Sequence, residues 1–156
     1  MTMIKKTIFL SGAAVLVFLA GVMFAEKGKP LSLSLMSREE ATPLEFDWGT
    51  FHTYHGDAET YGTRGTLVAI ADIKPGHETH PPHQHEEEEF MLVLRGEGTM
   101  YVGEEKIPTK KGDVLYTAPW DWHGIKNTGT ETLSFVVFKW NYKGVPQPPK
   151  PSEGSH

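Results

Sequence analysis

Three histidines and four consecutive glutamates fall within residues 80–90, HPPHQHEEEEF, which lead straight into the apolar run FMLVLRG. Imidazole and carboxylate are donor types that hold first-row divalent ions, so the chemistry they could perform is metal binding if they converge. A run of glutamates alone is a solvated acidic loop. His83 and His85 are separated by one residue, and in an extended chain such residues share a face and can point at one ion. Glu89 has the same parity. Four residues of extended chain span about 13 Å, far more than separates two ligands of one metal, so the chain must turn between His85 and Glu89. The pattern predicts a histidine pair at the end of one strand and a carboxylate at the start of the next. Glu87 shares the parity of Glu89, and periodicity does not choose between them. The chain has no cysteine, which excludes disulfides and thiolate metal sites.

The elements that must position these groups read as strands. The chain of 156 residues suits one domain with its own core. Its 11 prolines and 16 glycines, with many Val, Thr, Tyr, Phe and Trp residues, favour short strands joined by turns over helices. Apolar or β-branched runs occur at residues 44–51, 66–73, 90–94, 99–102, 114–117 and 133–140, and turn residues separate them. The turns KPGH, RGEG, VGEE, KKGD and NTGT each carry a glycine able to take positive φ. Six to eight or more short strands follow, with no helical periodicity longer than two turns between residues 43 and 142. A closed or double-sheet β-barrel is the economical fold because it removes exposed strand edges.

Residues 1–25, MTMIKKTIFLSGAAVLVFLAGVMFA, differ in kind from the rest. Lys5 and Lys6 precede an apolar stretch over 8–25, the pattern of an export signal or of a retained membrane anchor. Either reading places the domain outside the cytoplasm, periplasmic or secreted after cleavage, or held at the membrane. Residues 26–43 read as a polar linker in which SREEA makes one capped helical turn at most, residues 44–142 as the domain, and the proline-rich residues 143–156 as a disordered tail. A net charge of −5 without clustered Lys or Arg argues against a nucleic-acid partner.

Placed on this scaffold, the segment resembles the first motif of the cupin superfamily: a glycine, a spacer, His-x-His, three or four residues, Glu, six residues and Gly. Here His83-Gln84-His85 is followed after three residues by Glu89 and after six more by Gly96, while six residues instead of five separate Gly76 from His83. GDVLYTAPWDWHGIKN, from Gly112 to Asn127, is similar to the second motif, with Asp121 where the family usually has Gly and three residues, not four, between Pro119 and His123. The likeness covers residues 43–140 and implies a jelly-roll barrel. It also selects Glu89 among the glutamates and adds a histidine, so that His83, His85, Glu89 and His123 form the metal set.

Such a set suits one divalent transition metal ion, with zinc, manganese, nickel and iron all open, and leaves one or two positions for water or substrate. The family implies either a metal-dependent enzyme acting on a small sugar acid, carboxylate, phenol or diketone, of isomerase, lyase or dioxygenase type, or a nonenzymatic module that holds a metal or small ligand. It also implies a homodimer. Trp120 and Trp122 could wall a substrate pocket beside His123 or cover the barrel end as core. Tyr101 and Tyr116 are candidate phenolic acid/base groups, although strand alternation could equally send them outward. His77 and His80 are expected at the rim, with His80 able to face the pocket mouth, and His52 and His55 at a surface or edge.

Overall fold

The computed structural model describes residues 30–152, and the expected export or anchor segment lies outside these described residues. Nine strands run in chain order: β1 Thr42–Phe46, β2 Gly49–Ala58, β3 Thr63–Ile73, β4 Glu88–Arg95, β5 Glu97–Val102, β6 Glu105–Lys110, β7 Val114–Thr117, β8 His123–Lys126 and β9 Leu133–Tyr142. They form a six-stranded sheet ordered β1-β2-β3-β9-β4-β7 and a three-stranded sheet ordered β6-β5-β8, with antiparallel pairing throughout. Among the described residues there is no α-helix. The architecture is an all-β jelly roll.

Alternation sets the inside of the barrel. Ala69, Ala71 and Ile73 of β3, Met91 and Val93 of β4, and Leu133, Phe135 and Val137 of β9 face Met100 of β5 and Ile125 of β8. Each of these positions is separated from the next on its strand by one residue, as burying one face of a pleated sheet demands. The opposite parity puts Phe90, Tyr116 and Phe138 on the outer face, all exposed.

Three elements depart from the expected pattern, each for a local reason. The single run expected over 44–51 is a hairpin, β1 turning into β2 at Asp47 and Trp48, with Phe46 and Trp48 stacked at 4.9 Å. Gly49 makes this turn possible: at φ +147° its missing Cβ would lie 1.9 Å from the Asp72 carbonyl oxygen. β6 has little hydrophobic signal because it is an edge strand, where Pro108 is tolerated and Ile107 stays exposed. β8 is only four residues long. Gly76, Gly96, Gly103 and Gly112 take positive φ as their turns predict, but Gly129 does not. It is held instead by its N–H to Asn127 Oδ1 and packed against Glu97.

The segments flanking the barrel are tied to it. Residues 37–41 make the one expected turn, with Glu40 N–H donating to Ser37 O and Ser37 N–H to Glu40 Oε2. Arg38 reaches Asp72 at 2.6 Å, and Ala41 is buried. The expected linker is therefore tied to the domain at Leu31, Arg38 and Ala41, while Leu33 and Leu35 between them stay exposed. Residues 143–152 form no strand, yet Lys143 pairs with Glu59 and Pro148 O accepts the Trp120 indole N–H.

Candidate metal centre

His83 and His85 sit in the connection between β3 and β4. The sequence placed them at the end of a strand; the structure gives His83 only an isolated bridge, whose partner is His123. His83 N–H donates to His123 O and His123 N–H to His83 O, both at 2.9 Å, and Trp120 N–H donates to His85 O at 2.7 Å. Three backbone bonds thus join the two motif segments. Trp120 holds a left-handed backbone, φ 68°, within the spacer that runs from Pro119 to His123. Glu89 lies near the start of β4, as expected, on its inward face.

These placements bring four side chains together. The ring centroids of His83, His85 and His123 lie 4.7–5.2 Å apart, and one nitrogen from each ring lies within 4.8 Å of the others. Glu89 and His123 are only 7% and 2% exposed, so their polar atoms depend on partners inside the protein. Glu89 Oε2 is 3.3 Å from His85 Nε2, and Oε1 is 3.5 Å from His123 Nε2.

Tautomers follow from the second nitrogen of each ring. His85 Nδ1 faces the Glu87 carbonyl at 3.1 Å and His123 Nδ1 the Asp121 carbonyl at 2.9 Å. A carbonyl only accepts, so both Nδ1 atoms carry a proton, and both Nε2 atoms point at the Glu89 carboxylate, where a proton or a metal ion on Nε2 bridges the two. Lone pairs facing lone pairs repel unless a cation lies between them. His83 Nδ1 and His123 Nε2 are moreover buried without a hydrogen-bond partner. Neutral imidazoles oriented by carbonyls, a buried carboxylate and orphaned nitrogens form a donor set that fits a metal ion.

The electrostatics agree. Burial, reinforced by the neighbouring His80, His123 and His85 rings, pushes His83 down to about 4, so it is a free base at neutral pH. Burial would raise the Glu89 carboxyl, but the His123 and His85 rings override it and hold it at about 2. His123 is drawn down by burial and drawn up by Glu89 and the Asp121 carbonyl, with a net rise above 6.5.

His83, Glu89 and His123 of the cluster line a cavity of about 310 Å³, which His85 does not line. Its walls are Phe46, Trp48, Phe51, Leu67, Met91, Ile125, Phe135 and Val137, with Thr79, His80 and Lys139 as polar additions. Trp120 and Trp122 are not among the lining residues: Trp120 turns its indole to Pro148, and Trp122 is 48% exposed. The indole of the wall is Trp48. Neither phenol reaches the cavity. Tyr101 has the opposite parity to the buried Met100 on β5 and stacks with Lys106. Tyr116 is 48% exposed on the outer face and donates to Glu88, because the inward positions of β7 are Leu115 and Thr117. His80 faces the mouth and packs edge-on against His83 at 4.1 Å. His77 bonds to Pro75 O, and His52 and His55 lie on β2, His52 beside Asp72. Lys139 went unnoticed in the sequence, although it continues the inward parity of Leu133, Phe135 and Val137.

Comparison with known proteins gives a consistent picture. Residues 69–139 match the family model described as the cupin domain. An oxalate-binding protein of Thermotoga maritima is 34% identical over 80 residues, covering 51% of this chain and 65% of that protein. Auxin-binding protein 1 of Arabidopsis thaliana is 30% identical over 98 residues, covering 57% of this chain and 49% of that protein. The chain thus spans about half to just under two thirds of these relatives' lengths. A solved chain described as a predicted oxalate decarboxylase, also from Thermotoga maritima, superposes with a TM-score of 0.56 at 24% identity over 69% of this chain and 98% of its own, a likeness of fold. The family model spans both motif segments on a jelly roll whose two motifs meet at one cluster, so residues 69–139 of the chain are a cupin domain.

Proposed function

We propose that this protein is a metal-dependent cupin that acts on a small molecule with an oxygen-donor head and an apolar body. The observation that carries this reading is the convergence of His83, His85, His123 and Glu89, three of which (His83, His123 and Glu89) line a cavity whose other walls are largely apolar. One divalent transition metal ion, when bound, would supply Lewis acidity toward a carboxylate, carbonyl or phenolate oxygen. The chain does the rest. The Glu87 and Asp121 carbonyls hold the His85 and His123 rings with Nε2 toward the site, and Glu89 supplies the charge. Phe51, Leu67, Phe135 and Val137 exclude water and select an apolar body. Oxalate, named in one relative, has no such body to set against these walls.

Binding without turnover is the second reading. It is favoured by the outward orientation of both Tyr101 and Tyr116, which leaves Thr79, His80 and Lys139 as the polar side chains of the cavity outside the ligand cluster.

The test is calorimetry on protein loaded in turn with zinc, manganese, nickel and ferrous iron, titrated with benzoate and with oxalate. Benzoate is expected to bind more tightly, and to be lost on chelation. Preference for oxalate, or binding indifferent to chelation, overturns the reading. Recovery of the bound molecule unchanged after long incubation selects binding over catalysis.

Metal uptake should also depend on pH, with a sign set by His123. Its ring, raised above 6.5, is protonated in the metal-free fold at mildly acidic pH, and a proton and a metal compete for the same Nε2. That protonation stabilises the metal-free fold below about 6.5 and is lost as pH climbs through the raised value. Apparent metal affinity should therefore fall by up to about tenfold per unit as pH drops below it. His83 at about 4 and Glu89 at about 2 add no dependence near neutrality. Proton release measured in buffers of different ionisation enthalpy checks this; uptake without release at pH 6 would contradict the His123 assignment.

A further inference from the structure

Lys139 occupies an inward position of β9 that alternation would give to an apolar residue. Its cross-strand partners are Leu67 on β3 and Glu89 on β4, and all three line the cavity. Directly opposed residues of paired strands stand about 5 Å apart at Cβ, so the lysine stem rises beside the carboxylate of the metal cluster. Among the described residues that line the cavity, it is the one lysine or arginine.

An ammonium in such a wall needs a counter-charge. The one present is weak: Lys139 Nζ lies 3.5 Å from Glu87 Oε1, with both side chains about a quarter exposed or less. Glu87 is shared, since its other oxygen lies 3.3 Å from His85 Nδ1. A rim lysine with no further role would cover apolar surface with its stem and place its head in water. Here the head is turned to a carboxylate that already has a second claim on it, and a ligand anion could displace that partner.

Charge suggests what the anion is. Three neutral imidazoles, one carboxylate and a divalent ion leave one net positive charge at the cluster, and Lys139 offers a second at the wall, which Glu87 offsets until a ligand anion displaces it. Resting on the reading of the metal site above, we propose that the cavity takes a small dianion on an apolar frame. One acid group sits at the metal cluster and the other on the Lys139 ammonium, which Glu87 holds until the ligand arrives.

The experiment is calorimetric titration of metal-loaded protein with benzoate, phthalate and isophthalate, with metal content measured for every sample. Wild-type protein should bind one of the two dicarboxylates about tenfold more tightly than benzoate. K139M should lose that preference while keeping its metal and its benzoate affinity, and K139R should restore most of it. E87Q, corrected for bound metal, should move the opposite way and tighten the dicarboxylate. A wild type without the preference, or a K139M variant that keeps it, overturns the proposal. The two readings fail separately. A dicarboxylate preference that needs Lys139 but survives chelation would leave the lysine anchor standing and remove the metal from ligand binding. Metal-dependent benzoate binding with no dicarboxylate preference would do the reverse.

Discussion

His123→Ala is expected to reduce metal affinity by a factor on the order of a hundred or more, beyond the ten- to hundredfold that loss of an outer-sphere partner costs. The ring is 2% exposed, its Nδ1 is fixed by the Asp121 carbonyl, and its Nε2 has no other hydrogen-bond partner among the described residues. The strand should survive, because the backbone bonds of His123 to His83 and the pairing of β8 with β5 do not involve the side chain. Circular dichroism should therefore report a folded β domain while elemental analysis reports little metal. Glu89→Gln should also lower occupancy, whereas Glu86→Gln should leave it near the wild-type level. Full retention of metal in the His123 variant, or equal losses at Glu86 and Glu89, would remove the proposed ligand set.

The largest effect on stability is expected at Asn127, a polar residue with no exposed surface. Its side-chain amide donates to Ile73 O and Glu131 O at 2.8 Å, and its Oδ1 accepts the Gly129 N–H at 3.0 Å. Its backbone exchanges two more bonds with the loop that leads to the histidines, Gly76 N–H to Asn127 O and Asn127 N–H to His77 O. Alanine would remove three hydrogen bonds at about 1 kcal/mol each and strand their buried partners, so a loss of about 3–4 kcal/mol is expected. Asn127→Asp should be no milder, since it sets an oxygen against two carbonyl oxygens. Urea unfolding of metal-free protein measures the change, and a loss under about 1 kcal/mol would show that these bonds are replaced by water.

What the sequence made legible depended on which physical signal each residue carried. A strand with one buried face was visible in its alternation, as β3 shows, and β9 in a continuous apolar run, since Leu133 to Val137 are buried on both parities. β6 was not, because an edge strand with Pro108 and an exposed Ile107 buries too little to leave a pattern. The histidine pair was marked by its spacing, but Glu87 and Glu89 share a parity. Three-dimensional closure separates them: Glu89 faces His85 and His123 from β4, while Glu87 stops at His85 Nδ1 and Lys139. The Trp120 and Trp122 reading used nearness in sequence to His123 as a proxy for nearness in space. A left-handed residue at 120 breaks that proxy, and the indole goes to the tail instead. Lys139 was recoverable from parity alone, as a charge in the inward register of an apolar strand.

The reciprocal backbone pair between His83 and His123 bears on the order in which the molecule is made. The two residues are 123 − 83 = 40 positions apart, and β4, β5, β6 and β7 all lie between them. A chain that has synthesised only the His-x-His segment has two imidazoles and no enclosure. The third arrives only when β8 docks beside β5, a non-local pairing that pays its loop-closure entropy before any contact rewards it. Metal therefore cannot act as an early template for this barrel. On the proposed ligand set it would be a late guest whose tight binding waits for β8, and a chain stalled before β8 would hold metal only weakly, through His83, His85 and nearby carboxylates.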